Sequence, residues 1–187
     1  NNVTLTVVGD FDPVQAKIWV EKYFSEIKSG NKITALKKRP TKLNETVKRY
    51  HEDNFANLPQ ITRTYPTVEQ YHPDEYALNV LFEYLANGKS APLYKVLVKD
   101  RKLVPDANMF HKTSELAGQV YLIAKAYSDI DLDEVNNGID EAFKQFEENG
   151  ITEQDLQRIL ATQETKFYNQ LSSVLGKGAQ LAQYNIY

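Results

Sequence analysis

Residues Ala86–Val98 read ANGKSAPLYKVLV, and two extended runs follow them, Asp106–Thr113 and Gly118–Tyr127. The turn at Gly88 predicts the end of one amphipathic helix, and Ser90 predicts the N-cap of a second helix. Beyond that second helix, the period of the apolar residues changes from about 3.6 to about 2, as expected where strands replace a helix. The order helix, turn, helix, hairpin predicts an α+β domain.

On the N-terminal side of this stretch, apolar and β-branched runs predict strands and amphipathic runs predict helices. Asp12 is the expected N-cap of the first helix, with Pro13 at its first helical position. The predicted strands are Val3–Val8, Leu43–Glu52 at a sheet edge and Gln60–Tyr65, and the predicted helices are Pro13–Ile27 and one opened by Pro73.

On the C-terminal side, the nearly continuous apolar run in Gly118–Tyr127 predicts a central strand, and His111 in the strand before it is expected to point outward. Helices are expected from Asp131 or Asp133 to Glu148, closed by Asn149-Gly150, and from a capping-box-like start at Thr152 to a break or kink at Gly176 and Gly178. The whole pattern predicts an α+β fold, with a mostly antiparallel sheet and helices packed on one face.

The composition excludes several classes of function. The 187 residues are 42% hydrophobic and 25% charged with a net charge of −3, as in an ordinary globular domain. We expect no nucleic-acid partner because there is no basic block, and no membrane span because no apolar run reaches about 18 residues. The absence of cysteine excludes disulfides and thiol nucleophiles, and it is compatible with both the cytoplasm and the periplasm.

The sequence predicts no catalytic residue and no metal ligand. The histidines are His51, His72 and His111, and none has a second ligand at the spacing that a zinc-binding helix needs. Ser90 is explained as a helix cap, and the run NGKSA lacks the first glycine of a phosphate-binding loop.

Five motifs in order resemble the insulinase/pitrilysin family of zinc peptidases. They are VVGDFDP at Val7–Pro13, TRTYP at Thr62–Pro66, YHPDEYALNVL at Tyr71–Leu81, GKSAPLYKVLV at Gly88–Val98 and GITEQDLQR at Gly150–Arg158. The match is to the second, non-catalytic domain of such enzymes, whose fold is that of LuxS and the mitochondrial processing peptidase. This resemblance implies that residues 1–187 form a single inactive repeat domain within a longer chain, as a start on a core strand also suggests.

The same resemblance implies where the chemistry is carried out. The family motif H-x-x-E-H is absent, so this chain alone is expected to be inactive, with no cofactor of its own, and Zn²⁺ is expected in the catalytic domain of the parent. An Arg and a Tyr that some family domains contribute are replaced here by Val98 and Pro105, which indicates the domain from the zinc-bearing half. The expected partners are a catalytic insulinase-type domain, of the same chain or of a partner subunit, and unfolded peptides.

Relatives that degrade insulin hold a substrate end at a strand edge, and the resemblance places such an exosite in two segments of this chain. We expect main-chain hydrogen bonds there, because they tolerate varied peptide sequences. The residues implied are Gly88, Lys89, Ser90, Asn108, Met109, Phe110, His111 and Lys112.

Two other functions are compatible with the sequence. The parent could have lost catalysis, so that the domain is structural, and the presence or absence of H-x-x-E-H in the parent decides this point. A free-standing peptide-binding module would instead fold as a monomer and bind peptide without a partner. The family resemblance suggests the periplasm or the cell envelope of a bacterium as the location.

Overall fold

A computed structural model describes residues 3–31, 33–39 and 41–186. The chain forms two compact units, one from residues 1–35 and 161–187 and the other from residues 36–160. The described part has an α+β architecture with one antiparallel sheet and six helices, so the predicted fold class is confirmed. None of the helices described is both long and apolar enough to cross a membrane.

The sheet belongs to the unit 36–160 and contains strands β1 (Gln60–Thr67), β2 (Ala107–Thr113) and β3 (Gly118–Lys125). The order is β1-β3-β2, and both pairings are antiparallel. β3 is therefore central, as its apolar sequence predicted. Alternate β3 residues, among them Val120 and Leu122, are fully buried, so one face of the sheet forms the floor of the core.

Helices cover that buried face. Helix α2 (Glu75–Ala86) packs on β2, and α3 (Leu132–Asn149) packs on β1 and on a π-helix, Tyr94–Asp100. The core between them is aliphatic and contains Leu93, Val96, Leu97, Leu103, Val104, Val135, Ile139 and Ala142. The chain thus places helices on one face of the sheet, as expected.

Several helix ends predicted from the sequence form as expected. Asp12 Oδ1 accepts the amide N–H of Val14 at 2.8 Å and precedes α1 (Pro13–Phe24). Of the two aspartates considered for α3, Asp131 is the N-cap. Gly150, at φ 65°, ends the same helix, and the Thr152 hydroxyl accepts the Asp155 amide at 3.1 Å at the start of α4 (Glu153–Ser172).

The helix expected after Ser90 differs in kind from the prediction. Tyr94–Asp100 is π-helical, the amide of Arg101 donates to Val96 O at 3.0 Å, and no side chain caps the helix start. The sequence could not distinguish these alternatives, because an α-helix and one π-turn both bury positions such as Leu93, Val96 and Leu97.

Two predicted strands are absent from the sheet. Leu43–Glu52 is exposed throughout and lies in no ladder, because its few apolar residues gain nothing from burial on a sheet. Val3–Val8 also has no strand partner among the residues described, and Val3, Leu5 and Val7 are exposed. An apolar run becomes a buried strand only where a second strand pairs with it.

In the unit 1–35 and 161–187, helix α5 (Val174–Ile186) packs against the segment 3–8. A Cβ on Gly178 would lie 2.7 Å from Val8 Cγ2, and Asn185 Nδ2 donates to Thr4 Oγ1 at 3.1 Å. The predicted break at Gly176 or Gly178 is wrong, because both lie inside α5 and the interruption falls at Ser173, whose hydroxyl accepts the Gly176 amide.

Candidate functional site

The candidate site lies along β2, which is an edge strand of the sheet. β2 pairs with β3 on one side, and no other strand of the described chain pairs with its other side. An unpaired strand edge presents a row of backbone N–H and C=O groups that can pair with another strand. Five of the residues predicted for the exosite, Asn108 to Lys112, lie on this strand.

The backbone groups that face the open edge follow from the pairing pattern. The Ala126 amide donates to Pro59 O at 2.9 Å, just beyond the register pair Gln60–Lys125. Since hydrogen-bonded pairs alternate along an antiparallel ladder, even-numbered β3 residues turn their backbone groups toward β1 and odd-numbered ones toward β2. The β2 partners of the odd-numbered residues are Asn108, Phe110 and Lys112.

It follows that the backbone groups of the other β2 residues point to the open edge. These residues are Ala107, Met109, His111 and Thr113, in the strand Ala107–Thr113. The hairpin between β2 and β3 leads to the same result. The Ser114 amide donates to Ala117 O at 3.0 Å, so Ser114 and Ala117 form a hydrogen-bonded pair. Hydrogen-bonded pairs occur at every second position, so Lys112 and Gln119 form the next one. Met109 and His111, at the centre of the edge, are thus the residues whose backbone groups can pair with a bound strand.

The sheet face opposite the helices carries the side chains beside this edge. Phe110 is 46% exposed and stacks on Tyr121 of β3, with ring centroids 5.1 Å apart and planes inclined by 23°. Two residues further along β2, Lys112 is exposed and forms no ion pair with the residues described. The open face therefore presents an aromatic pair and a cation two positions apart.

An open cleft of about 440 Å³ lies at the Lys112 end of this face. Its walls combine apolar groups of Leu43 and Pro66 with polar groups of Lys112, Ser114 and Gln119, and no acidic side chain lines it. Lys112 is thus available to an anionic group of a ligand.

The turn containing Gly88, Lys89 and Ser90 follows α2 and is exposed. Helix α2 runs antiparallel to β2, because Glu75 contacts Thr113 at its start and Phe82 contacts His111 further on. The turn after α2 is therefore directed toward the Ala107 end of β2. Among the residues described, no hydrogen bond or ion pair joins the turn to β2. The assignment of both segments to one site stays a prediction.

The side chain of His111 points to the helix-covered face, so the predicted outward orientation is wrong. Its Nδ1 lies 2.8 Å from Asn79 Oδ1 of α2, and its Nε2 lies 2.7 Å from the Thr67 hydroxyl of β1. Glu75, which is 8% exposed, accepts the Thr113 hydroxyl at 2.6 Å beside it. The ring faces inward because polar partners from two elements satisfy both of its nitrogens.

These partners fit the neutral form of His111. An amide oxygen only accepts, so Nδ1 carries a hydrogen, and in the neutral ring Nε2 accepts from the Thr67 hydroxyl. Burial lowers the pKa of His111 below its ordinary value of 6.5, and the negative charge of Glu75 opposes that shift in part. His111 is therefore neutral at pH 7, and it connects the candidate edge strand to α2.

Gly118 makes this arrangement possible. Thr67 and His111 lie on β1 and β2, and β3 runs between them. A Cβ on Gly118 would lie 2.0 Å from Val68 O and 2.6 Å from Thr67 Oγ1. The missing side chain leaves the space across which the Thr67 hydroxyl reaches the imidazole.

Sequence reasoning missed the residues that reach the site from other elements: Thr67, Glu75, Asn79, Gly118 and Tyr121. The period-2 alternation of Gln119, Tyr121 and Ile123 was a signal for the open face, but the nearly continuous apolar run of β3 obscured it. The hydrogen-bond partners of His111 had no signal, since they lie 32 and 44 residues away in sequence.

The residues described do not fit a metal site. No three histidine or carboxylate side chains within the ranges 3–31, 33–39 and 41–186 lie close enough together to hold an ion. His111, the histidine of the candidate site, has both ring nitrogens hydrogen-bonded to neutral groups. Within the described residues, the candidate site therefore offers no donor set that fits a metal ion.

The family model described as the peptidase M16 inactive domain matches residues 1–163. The chain belongs to this family, and the predicted resemblance to an inactive repeat of a zinc peptidase family is confirmed at that level.

Several solved structures share this fold. A protease from Helicobacter pylori superposes with a TM-score of 0.76 at 22% identity over 96% of this chain and 44% of its own. The inactive peptidase domain of a Bordetella parapertussis protein, provisionally named a zinc protease, gives 0.61 at 18% identity over 66% of this chain and 67% of its own. A peptidase M16 inactive domain from Pseudomonas fluorescens gives 0.55 at 15% identity, covering 68% of this chain and 31% of its own.

The chain spans less than half the length of the Helicobacter pylori protease. At these identities the structural matches establish the fold alone. No protein with curated function matches the chain in sequence.

Proposed function

We propose that this chain is the non-catalytic domain of a zinc metalloendopeptidase, where it forms part of the wall of a chamber that encloses peptides. Its own contribution is to hold an extended peptide at the open edge of β2. In this proposal Zn²⁺ is bound by a catalytic insulinase-type domain, either in the same chain or in a partner subunit, and the substrates are unfolded peptides.

The observation that supports this proposal best is the open edge of β2. The backbone groups of Met109 and His111 face away from β3, and no hydrogen bond from them to another backbone group occurs in the described structure. A peptide that pairs there gains main-chain hydrogen bonds whatever its sequence, as a peptidase with varied substrates requires. The side chains of both residues are anchored on the helix-covered side, so the edge is held in place before a peptide arrives.

A second feature supports docking to another domain. Helix α1 has no buried residue, and its apolar side chains Val14, Ile18 and Trp19 are more than half exposed. These side chains are already partly covered, so burial of their exposed part against a partner is favourable by roughly 1–2 kcal/mol each. This surface fits the role of an inactive domain that packs against a catalytic one.

Peptide pairing can be tested with backbone-methylated peptides. In a strand bound to β2, alternate N–H groups face the edge, so N-methylation of these residues removes hydrogen bonds and adds a clash. We expect methylation at one set of alternate positions to abolish binding, measured by isothermal titration calorimetry, and methylation at the other set to change the affinity little. Equal effects of both sets would exclude strand pairing.

The chamber role can be tested on the complete parent protein with zinc. We expect hydrolysis of an unfolded peptide, its loss on chelation, and competition by a peptide that binds β2. If a peptide that binds β2 leaves the rate of hydrolysis unchanged, the β2 edge does not take part in the catalytic pathway.

The exposed surface of α1 also suits the second candidate function, a structural domain of a peptidase homologue that has lost catalysis. In that case the complete parent, supplied with zinc, would hydrolyse no peptide while the domain still packed against its neighbour. An H-x-x-E-H motif in the parent together with chelator-sensitive hydrolysis would exclude this candidate.

A further inference from the structure

We infer that β2 selects peptides in which an acidic residue precedes an aromatic residue by two positions. This inference rests on the proposed pairing of a peptide with the β2 edge and adds a side-chain specificity to it. The positions that select are Phe110 and Lys112, whose side chains stand on the open face of the sheet, beside the edge.

The spacing of two follows from strand geometry. Side chains alternate between the two faces of a strand, so only every second peptide residue lies on the open face beside Phe110 and Lys112. An acidic and an aromatic residue that are adjacent in sequence would lie on opposite faces. The two groups are therefore recognised together only when one residue separates them.

The alternation of backbone groups along β2 brings the side chains of Phe110 and Lys112 close to a peptide that pairs antiparallel to this strand. Met109 and His111 turn their backbone groups to the edge, so they would form the hydrogen-bonded pairs. Phe110 and Lys112 would then stand in the intervening non-hydrogen-bonded pairs. Opposed residues are about 1 Å closer in such pairs, and their side chains contact each other more closely.

The aromatic preference comes from the pair formed by Phe110 and Tyr121. These rings stack across β2 and β3 at 5.1 Å, and Phe110 remains 46% exposed. A ring on a peptide residue opposite Phe110 would add a third member to this row across the sheet. Aromatic pairs are favourable beyond the area they bury, so a ring is preferred there over an aliphatic side chain.

The acidic preference comes from Lys112. Its ammonium group has no ion pair within the described structure, and no carboxylate lines the adjoining cleft. A peptide carboxylate opposite Lys112 supplies the complementary charge. Because an antiparallel peptide runs from the Lys112 end toward Asn108, the acidic residue comes first, and the order is acidic-x-aromatic.

The test uses two blocked, threonine-rich peptides of about eight residues with identical composition. One contains Glu-Thr-Phe, and the other contains Glu and Phe as neighbours. We expect the first peptide to bind about threefold to thirtyfold more tightly in calorimetric titrations, because only it presents both groups to the open face.

Substitutions in the protein assign the effect to the two residues. Phe110→Thr and Lys112→Gln should each reduce the preference for the first peptide by about twofold to tenfold. Lys125→Gln is the matched control, since Lys125 is an exposed lysine of β3 outside the β2 strand. Lys112→Glu should invert the charge preference, so that a Lys-Thr-Phe peptide binds more tightly than Glu-Thr-Phe.

The possible results separate this inference from the proposed function. Equal binding of the two peptides, with the methylation pattern intact, would overturn the specificity and leave strand pairing in place. Absence of binding by either peptide, with no effect of methylation, would overturn both. A preference for Glu-Thr-Phe that survives Lys112→Glu unchanged would also overturn the specificity. The peptide carboxylate would then be bound by a group other than Lys112.

Discussion

The two compact units of this chain use their apolar residues in opposite ways. In the unit 36–160, most aliphatic side chains of β3, α3 and the π-helix, among them Leu122, Ile139 and Leu97, are fully buried in one core. In the other unit, Val3 is 92% exposed, Trp19 is 54% exposed, and α1 has no buried residue. Periodicity places apolar residues on one side of an element, but burial also needs a surface to pack against.

This difference in burial indicates which part of the chain has apolar residues that a partner would cover. A folded domain rarely exposes a large contiguous apolar surface unless that surface binds a partner. The unit 36–160 has the core that a stable fold needs, whereas α1 and the segment 3–8 have the composition of a core without its burial. The comparison between units makes four predictions, ordered by the size of the expected effect.

The largest effect is expected from truncation in the buried unit. Leu122→Ala should lower the free energy of unfolding by about 2–5 kcal/mol, because Leu122 is fully buried in the core. Leu175→Ala in α5 should change it by less than about 0.5 kcal/mol, since Leu175 is 79% exposed. Denaturant titration measures both, and equal losses would remove the distinction between the units.

Two glycines sharpen the comparison. Gly118→Ala should destabilise the protein by about 1–3 kcal/mol, because the new Cβ would meet the backbone oxygen of Val68 at 2.0 Å. Gly178→Ala should be close to neutral, since the neighbour is the side chain of Val8, and alanine favours a helix by about 1 kcal/mol over glycine. Thermal unfolding of the two variants gives the answer, and a costlier Gly178→Ala would mean that the segment 3–8 is held rigidly.

The third prediction concerns pH and the buried unit. The folded protein lowers the pKa of His111 below 6.5 by burial, so the folded state favours the neutral ring. The stability that this shift contributes is complete above pH 6.5 and is lost as the pH falls through the lower folded value. His111→Gln should therefore flatten the pH dependence of unfolding between pH 7.5 and about 5 relative to the native protein. A slope that persists unchanged would show that other groups cause it.

The smallest effect is expected in α1. Trp19→Ala should lower the free energy of unfolding by no more than about 1 kcal/mol, because Trp19 is 54% exposed, whereas truncation of a buried tryptophan costs about 3–5 kcal/mol. Since Trp19 is the only tryptophan, its fluorescence also reports directly on this helix. We expect the emission of an indole in water, shifted to shorter wavelength in the complete parent. Emission typical of a buried indole in this chain alone would contradict the exposed placement of α1.

Local signals predicted the parts of the fold that local chemistry controls. Asp12, Asp131 and Gly150 mark helix ends as expected, because a cap acts within four residues of its helix. The central position of β3 was also predictable, since a strand with two neighbours is buried and therefore apolar. At the candidate site, a family resemblance predicted the β2 residues and the turn Gly88–Ser90. The sequence predicted no residue of the site outside these two segments.

Non-local contacts explain the predictions that failed. The orientation of His111 depends on Thr67, Asn79 and the space above Gly118, none of which is near it in sequence. Leu43–Glu52 had a weak strand pattern, and only the absence of a pairing partner excludes it from the sheet. Whether an extended segment becomes a strand is decided by its neighbour.

The amino-acid sequence was enough to predict the class of fold, the helix ends at Asp12, Asp131 and Gly150, the central strand, and membership in the family of peptidase M16 inactive domains. These properties depend on side-chain pattern and on capping within a few residues. Tertiary structure alone decided that β2 has an open edge, that Met109 and His111 turn their backbone groups to it, and that Phe110 and Lys112 stand beside it. The reason is physical: the phase of a hydrogen-bond ladder is a property of paired strands, and no single segment contains it.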